Sequence, residues 1–319
     1  VAVVSVRVRS IWPVVAALLA DLFETHRPHL LSVAYRLTGS VADAEDAVQE
    51  SWLRLAVARQ HEIEDLRAWL TTVVSRICLD RLRSAAARRE QYVGQWLPEP
   101  IVTAWQPSST PDPLAALVRK QDYRFAALVV LDGLTPPQRV AFVLHEGFAV
   151  PFDEIGEILG ITADAARQLA ARARKAAART PEPAPDAEHE ALVRQLLAAL
   201  ARADMDAVVA LLHPDVHTIG DAGGTTSTTI NVVSGPEKVA RLWLGIQRLH
   251  GVGDPERVAA NELVLVNGQL GLLVHERASG DGYHGTPTRV FGFTVKDGKI
   301  WGAYDLANPA KLTGIRVPH

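Results

Sequence analysis

The tightest constraint on this chain is a helix that must stop at Gly160 and restart two residues later. Phe152, Ile155, Ile158 and Leu159 recur at helical spacing, which predicts a short amphipathic helix. Gly160 supplies the left-handed residue that ends it. Thr162 then caps a further helix, in which small alanines allow close approach while Arg167, Gln168, Arg172, Arg174 and Lys175 reach outward. Upstream, Thr135, Pro136 and Gln138 give the cap, first-turn proline and capping box of another helix. Helices joined so tightly, the last of them basic, read as a helix-turn-helix that lays its recognition helix in the major groove of duplex DNA. An ordinary surface helix whose basic end complements its own dipole has the same pattern. A second block is needed to choose.

Charge supplies part of it. The net charge of the 319 residues is only −3, so the whole chain is no general polyanion binder. Residues 1–180 carry 21 Lys+Arg against 20 Asp+Glu, and the remainder 12 against 16. Within the first part the signs segregate. Arg76, Arg81, Arg83, Arg88 and Arg89 form one basic stretch, and 167–179 form another with no acid inside it. Asp43, Glu45, Asp46 and Glu50 form an acidic one. Two separated basic stretches imply two contacts to a nucleic acid backbone. The single cysteine, Cys78, cannot form a disulfide within this sequence and fits a reducing cytoplasm. No apolar run approaches the length of a membrane span.

Residues 1–17 read as a frayed N-terminal extension. From 18 to 95 the period is helical, with stripes Leu30-Val33-Ala34-Leu37, Val41-Ala44-Val48-Trp52-Leu55 and Leu66-Trp69-Leu70-Val73-Ile77-Leu82. Residues 96–113 hold Pro98, Pro100, Pro107, Pro111 and Pro113, which favours an extended linker over a packed element, spanning at most about 60 Å. The helices of the DNA-binding segment occupy 114–179, and 180–187 form a second, stiffer Pro-rich linker. Residues 188–319 change character. Two helices (188–202 and 204–212) precede alternating segments at 216–220, 227–233, 257–266, 269–276, 288–295 and 299–304, with Asn267-Gly268 and Asp297-Gly298 as hairpin turns. The predicted fold is multidomain: two all-α domains, the second a helix-turn-helix, then an α+β domain with a curved antiparallel sheet.

The run from Ala34 to Ser40, then Asp43 to Glu50, then Arg67-Ala68-Trp69-Leu70 and Leu79-Asp80-Arg81-Leu82-Arg83, resembles the second conserved region of the extracytoplasmic-function sigma factors, within the sigma-70 family of RNA polymerase subunits. The helix-turn-helix block resembles their fourth region. Trp96-Leu97-Pro98-Glu99-Pro100 and Asn308-Pro309-Ala310-Lys311-Leu312 resemble the sigma-J type, which carries a fused SnoaL-like, cone-shaped NTF2-like domain. Three positions depart from the usual pattern: Arg76 stands where many members have Asn, Ala222 interrupts the glycine run of Asp221-Ala222-Gly223-Gly224, and Ala310 replaces a more usual Asp.

The resemblance implies a sigma factor that binds core RNA polymerase and directs initiation at two-element promoters, its activity modulated by its own SnoaL-like domain. Asp46, Gln49 and Glu50 would dock on the beta-prime clamp helices, and the fourth region would meet the beta flap. Arg76, Arg81, Arg83, Arg88 and Arg89 would hold the −10 element, with the loop 59–65 receiving a flipped base. Arg167 and Gln168 would read base edges at the −35 element while Arg172, Arg174 and Lys175 contact phosphates. The regulatory contacts would fall on Trp96, Leu97, Pro98, Glu99, Pro100, Asp221, Gly223, Gly224, Asn308, Pro309, Lys311 and Leu312. No catalytic residue, metal or cofactor is expected. The alternative is a DNA-binding regulator whose SnoaL-like domain is a small-molecule sensor or a cyclase-like enzyme, for which His213, Asp215, His217 and Asp221 would be the acid–base candidates.

Overall fold

In the computed structural model of the protein, the described residues are 2–89, 92, 94–105, 124–178, 180–182, 184–251, 261–280, 282–313 and 315, with the side chains of 2–16 and 86–89 outside the description. The chain forms two compact units that do not follow chain order. One comprises Val1–Ser84 with Pro136–Arg172, the other Ala85–Thr135 with Ala173–His319.

The first unit is helical. Helix α1 (Ala2–Thr38) runs unbroken through the expected frayed extension, followed by α2 (Val41–Val57) and α3 (Leu66–Arg89). Leu30, Val33, Ala34 and Leu37 are all fully buried, as are Ala44, Val48 and Leu55 of α2 and Leu70, Val74 and Ile77 of α3. Each such leucine contributes about 1.5–3 kcal/mol by leaving water. Ser40 caps α2, its Oγ accepting from the Asp43 amide at 3.2 Å. Asp65 caps α3 through Ala68 N at 3.0 Å.

The same unit contains the helix-turn-helix as far as Arg172, within its last helix. Helix α5 (Pro136–Phe142) passes into a wider π-turn (Val143–Gly147), then α6 (Phe152–Leu159) and α7 (Ala163–Ala177). Gly160 ends α6 at φ 70°, and Thr162 Oγ1 accepts from Ala165 N to start α7. Arg139 is 2% exposed and donates to Leu37 O at 2.9 Å, placing a cation at the C-terminal end of α1. Phe148 meets His29 edge-on at 5.3 Å and lies under the Arg36 guanidinium.

The second unit is built on a seven-stranded sheet of order β1-β4-β5-β6-β7-β2-β3. Its strands are β1 (Val102–Ala104), β2 (Leu212–Asp221), β3 (Val233–Ser234), β4 (Glu262–Val266), β5 (Gln269–Val274), β6 (Arg289–Lys296) and β7 (Lys299–Leu306). Strands β4 to β7 form the expected meander, and all four residues of its two predicted turns have positive φ. The sheet is mixed, however, because β2 pairs with β7 in parallel. Helices α8 (Asp186–Ala201), α9 (Met205–Leu211) and α10 (Pro236–His250) pack on it, and α4 (Phe125–Asp132) joins the same unit. Helix α10 was not anticipated, although Gly235 and Pro236 are a start signal.

The linker is the main correction. Residues 96–105 are not a free tether: Leu97 and Ile101 are buried, and β1 pairs antiparallel with β4 as an edge strand. Prolines 98 and 100 sit just before the strand, where their missing N–H groups cost the ladder nothing. Residues 106–113 lie outside the described residues, as do 114–123 of the expected DNA-binding segment and 252–260, which include part of the strand expected at 257–266.

Candidate nucleic-acid interface

Helix α7 presents the predicted basic face. Ala166, Ala170 and Ala173 are fully buried at helical spacing, so Arg167, Gln168, Arg172, Arg174 and Lys175 are all exposed on the far side. Close approach extends to the turn: a Cβ on Gly156 would lie 2.7 Å from Ile161 O and 3.3 Å from Ala163 N. Only glycine fits there, a requirement the sequence reading missed. Arg167 pairs with Asp164, and its guanidinium lies 5.2 Å over the Phe152 ring. That pair is exposed and therefore weak.

In the first block the acidic and basic candidates meet each other. Arg81 donates to Asp43 at 3.0 Å and to Asp46 at 3.4 Å, and Glu50 pairs with Arg54 one turn on. Asp46 and Gln49 remain exposed. Arg83 pairs with Asp80 at 3.5 Å. Arg76 is exposed yet donates to Glu157 O, near the end of α6, at 3.1 Å. Trp69 is half-buried, and 59–65 form an exposed turn in which Arg59 pairs with Glu62. The side chains of Arg88 and Arg89 lie outside the described residues. His29 is held neutral: burial first, then the nearby Arg67 charge, lower its pKa to about 4.

A second constellation brings together the distant motifs of the other unit. Asp221 is fully buried, and its carboxylate accepts from the Leu97 amide at 2.7 Å, from the Tyr92 hydroxyl, and from Lys311 Nζ at 2.6 Å. Lys311 also donates to Leu97 O and sits 3.3 Å from the centre of the Trp96 ring. Asn308 donates to Tyr92 Oη at 2.7 Å while its own Oδ1 caps Ala310 N. Gly223 has φ 59°, and a Cβ there would meet Asn308 Nδ2 at 2.8 Å. Pro98, Glu99 and Pro100 are buried, Leu312 packs partly buried against the core cluster that contains Leu97, and Pro309 is exposed. Tyr92 was missed; an aromatic hydroxyl four residues before Trp96 was the available signal. Burial and the Asp221 carboxylate push that hydroxyl above its usual pKa range.

The acid–base candidates do not converge on one site: His213 lies 4.0 Å from the exposed carboxylate of Asp215, two residues along the chain, and the others are engaged elsewhere. Asp221 is committed to Lys311, and His217 packs edge-on against Trp301 at 4.4 Å, its pKa lowered by burial. His213 accepts from the Asp215 amide at 3.0 Å, closing a local turn. Among the described residues, no cluster of three or more His, Cys, Asp and Glu could hold a metal. None of the described helices is long and apolar enough to cross a membrane.

Comparison with known proteins gives three domain matches: Sigma-70 region 2 at residues 22–88, Sigma-70 region 4 at 124–176, and a SnoaL-like domain at 193–303. The chain is 54% identical over 297 residues to the ECF RNA polymerase sigma factor SigJ of Mycobacterium tuberculosis, covering 92% of both proteins. It is 32% identical over 301 residues to the probable ECF RNA polymerase sigma factor SigI of the same species, covering 92% of this chain and 95% of that one. The crystal structure of Mycobacterium tuberculosis SigJ superposes with a TM-score of 0.80 at 50% identity, over 94% of this chain and 100% of that one.

Proposed function

Because the chain belongs to the extracytoplasmic-function RNA polymerase sigma factors, we propose that it recognises a two-element promoter and that its own SnoaL-like domain modulates that recognition. It acts as a sigma factor, with core RNA polymerase and promoter DNA as partners. In this reading Asp46, Gln49 and Glu50 form a solvated acidic rim that docks on the beta-prime clamp helices, while the fourth region meets the beta flap. The observation that carries the promoter assignment is α7, whose alanine stripe is fully buried and whose five basic or amide side chains are all exposed. Arg167 and Gln168 suit guanine and adenine edges, and the three cations behind them suit phosphates.

Modulation rests on the Asp221 network. A buried ion pair needs both partners, and here the pair also carries the Leu97 amide and carbonyl, so the linker is fastened to the SnoaL-like domain by charge. A cyclase-like activity has no comparable support, since the described residues that line the domain's cavity include no imidazole or carboxylate. We therefore read the domain as regulatory and not catalytic.

The test is reconstitution with core polymerase. Full-length protein should co-purify with core and support run-off transcription, whereas Gln49→Lys/Glu50→Lys should lose core affinity while keeping its helical content. Absence of any affinity for core at low salt would falsify the assignment of the acidic face.

A further inference from the structure

Most of region 2, through Ser84, and the helix-turn-helix of region 4, from Pro136 to Arg172, fold into one compact unit. Two arms join them. In the first, Arg139 of α5 is 2% exposed, and its Nη1 donates to Leu37 O at 2.9 Å. Leu37 lies one residue from the end of α1, where helix carbonyls lack a partner within the helix. A cation of region 4 thus completes a helix of region 2. In the second arm, the wide π-turn (Val143–Gly147) delivers Phe148 to α1. There the ring meets His29 edge-on at 5.3 Å and lies under the Arg36 guanidinium. Gly147 keeps the approach open, because a Cβ there would collide with Arg36 Nη1. Widened turns of this kind recur at functional sites.

A third contact bears on DNA. Arg76, proposed to hold the −10 element, donates from Nη2 to Glu157 O at 3.1 Å. Glu157 lies three residues before Gly160, whose left-handed turn leads into α7. A DNA-facing side chain of region 2 is therefore within hydrogen-bond reach of the module that carries the recognition helix. Promoter elements separated by a single helical turn are already about 34 Å apart. The two regions, so arranged, cannot engage both at once.

We infer that regions 2 and 4 restrain each other directly: the contacts of Arg139 with Leu37 and of Phe148 with His29 and Arg36 form an autoinhibitory clasp that opens before the chain spans a promoter. The inference rests on the two-element reading. It adds a restraint made without any residue of the SnoaL-like domain, since every contact lies within Val1–Ser84 and Pro136–Arg172. Opening hands the Arg139 guanidinium and the Leu37 carbonyl to water, so neither is left buried and unpaired. A closed form also weakens binding in proportion to its population, because only the open fraction of free chains is competent.

Fluorescence energy transfer between dyes on Glu24→Cys of α1 and Asp153→Cys of α6 follows the clasp in the full chain; both positions are exposed, and the native Cys78 is buried. Transfer should be high in the free protein. It should fall in the complex with core polymerase and a promoter duplex selected from random DNA by that holoenzyme. Phe148→Ala and Arg139→Met should each lower transfer in the free protein. Each should also tighten assembly of the promoter complex, by about tenfold for a free chain that is about nine-tenths closed. Gly147→Ala, whose methyl displaces only the Arg36 side chain, should act in the same direction to a smaller degree. Damage to the fold would weaken assembly, so a gain separates opening from damage. Equal transfer in the free protein and the promoter complex, or variants that assemble no more tightly than the parent, would overturn the clasp while leaving the promoter reading intact. A parent holoenzyme that selects no duplex, or selects a single element, would refute the two-element reading and the inhibitory role with it.

Discussion

Asp221 and Lys311 illustrate how one residue can fasten two distant segments. Both are buried, so removing one leaves the other as an uncompensated charge in a poorly polarisable setting. Asp221→Asn should cost about 3–5 kcal/mol in a denaturant titration, and the double change with Lys311→Met should recover much of that loss. His29 makes its contribution depend on pH. Its folded pKa is about 4 against 6.5 for the free side chain, so below 6.5 the unfolded chain takes up the proton first. Its contribution is complete above pH 6.5 and is lost progressively as pH falls towards 4. Comparing unfolding midpoints at pH 7 and pH 5 should show a smaller drop for His29→Gln than for the parent; equal drops would remove His29 from this role.

At the scale of elements, the helices were legible because burial follows a period of 3.6, and Leu30, Val33, Ala34 and Leu37 are buried as that period requires. The turns at 267–268 and 297–298 were legible because positive φ selects Asn, Asp and Gly. The edge strand β1 was hidden by its prolines, which signal a tether whether or not a sheet edge lies nearby. Its partner is fixed by a tertiary contact, Asn267 Oδ1 accepting from Ile101 N and Asn267 N donating to Ile101 O. The strand expected over 227–233 shrinks to Val233–Ser234 because its polar groups go elsewhere: Thr228 binds Asp305 and the Ser227 carbonyl accepts from Arg289. For helix α7, Arg167→Ala should relax one base preference by about 1–3 kcal/mol. Arg174→Ala should instead weaken binding to every sequence and flatten its salt dependence, measurable by fluorescence anisotropy across salt concentrations.

At the scale of the molecule, the region-4 segment is divided: Phe125 of α4 belongs to the core around Val264 and Tyr304, while Pro136 to Arg172 belong with the first three helices. Truncation after Thr180 is therefore not a clean test of regulation, since it would strip cover from Leu97 and Phe125. Lys311→Met keeps the bulk over Trp96 while removing the charge, and should change promoter output several-fold in reconstituted transcription; unchanged output would leave the network a purely structural fastening. The residues that join the segments, Arg139 to Leu37 and Lys311 to Asp221, are isolated in sequence and carry no periodic signal, which is why only the fold reveals them.

Strand β1 has a further consequence. It covers the outer rim of β4, and a bare rim of that kind is a template on which another polypeptide can lay itself. Drawing 101–104 away would thus expose a sticky margin, so the tether doubles as a guard against chain-to-chain zippering. A version with that stretch replaced by glycine and serine should stay folded yet pair up or form fibres as its concentration rises.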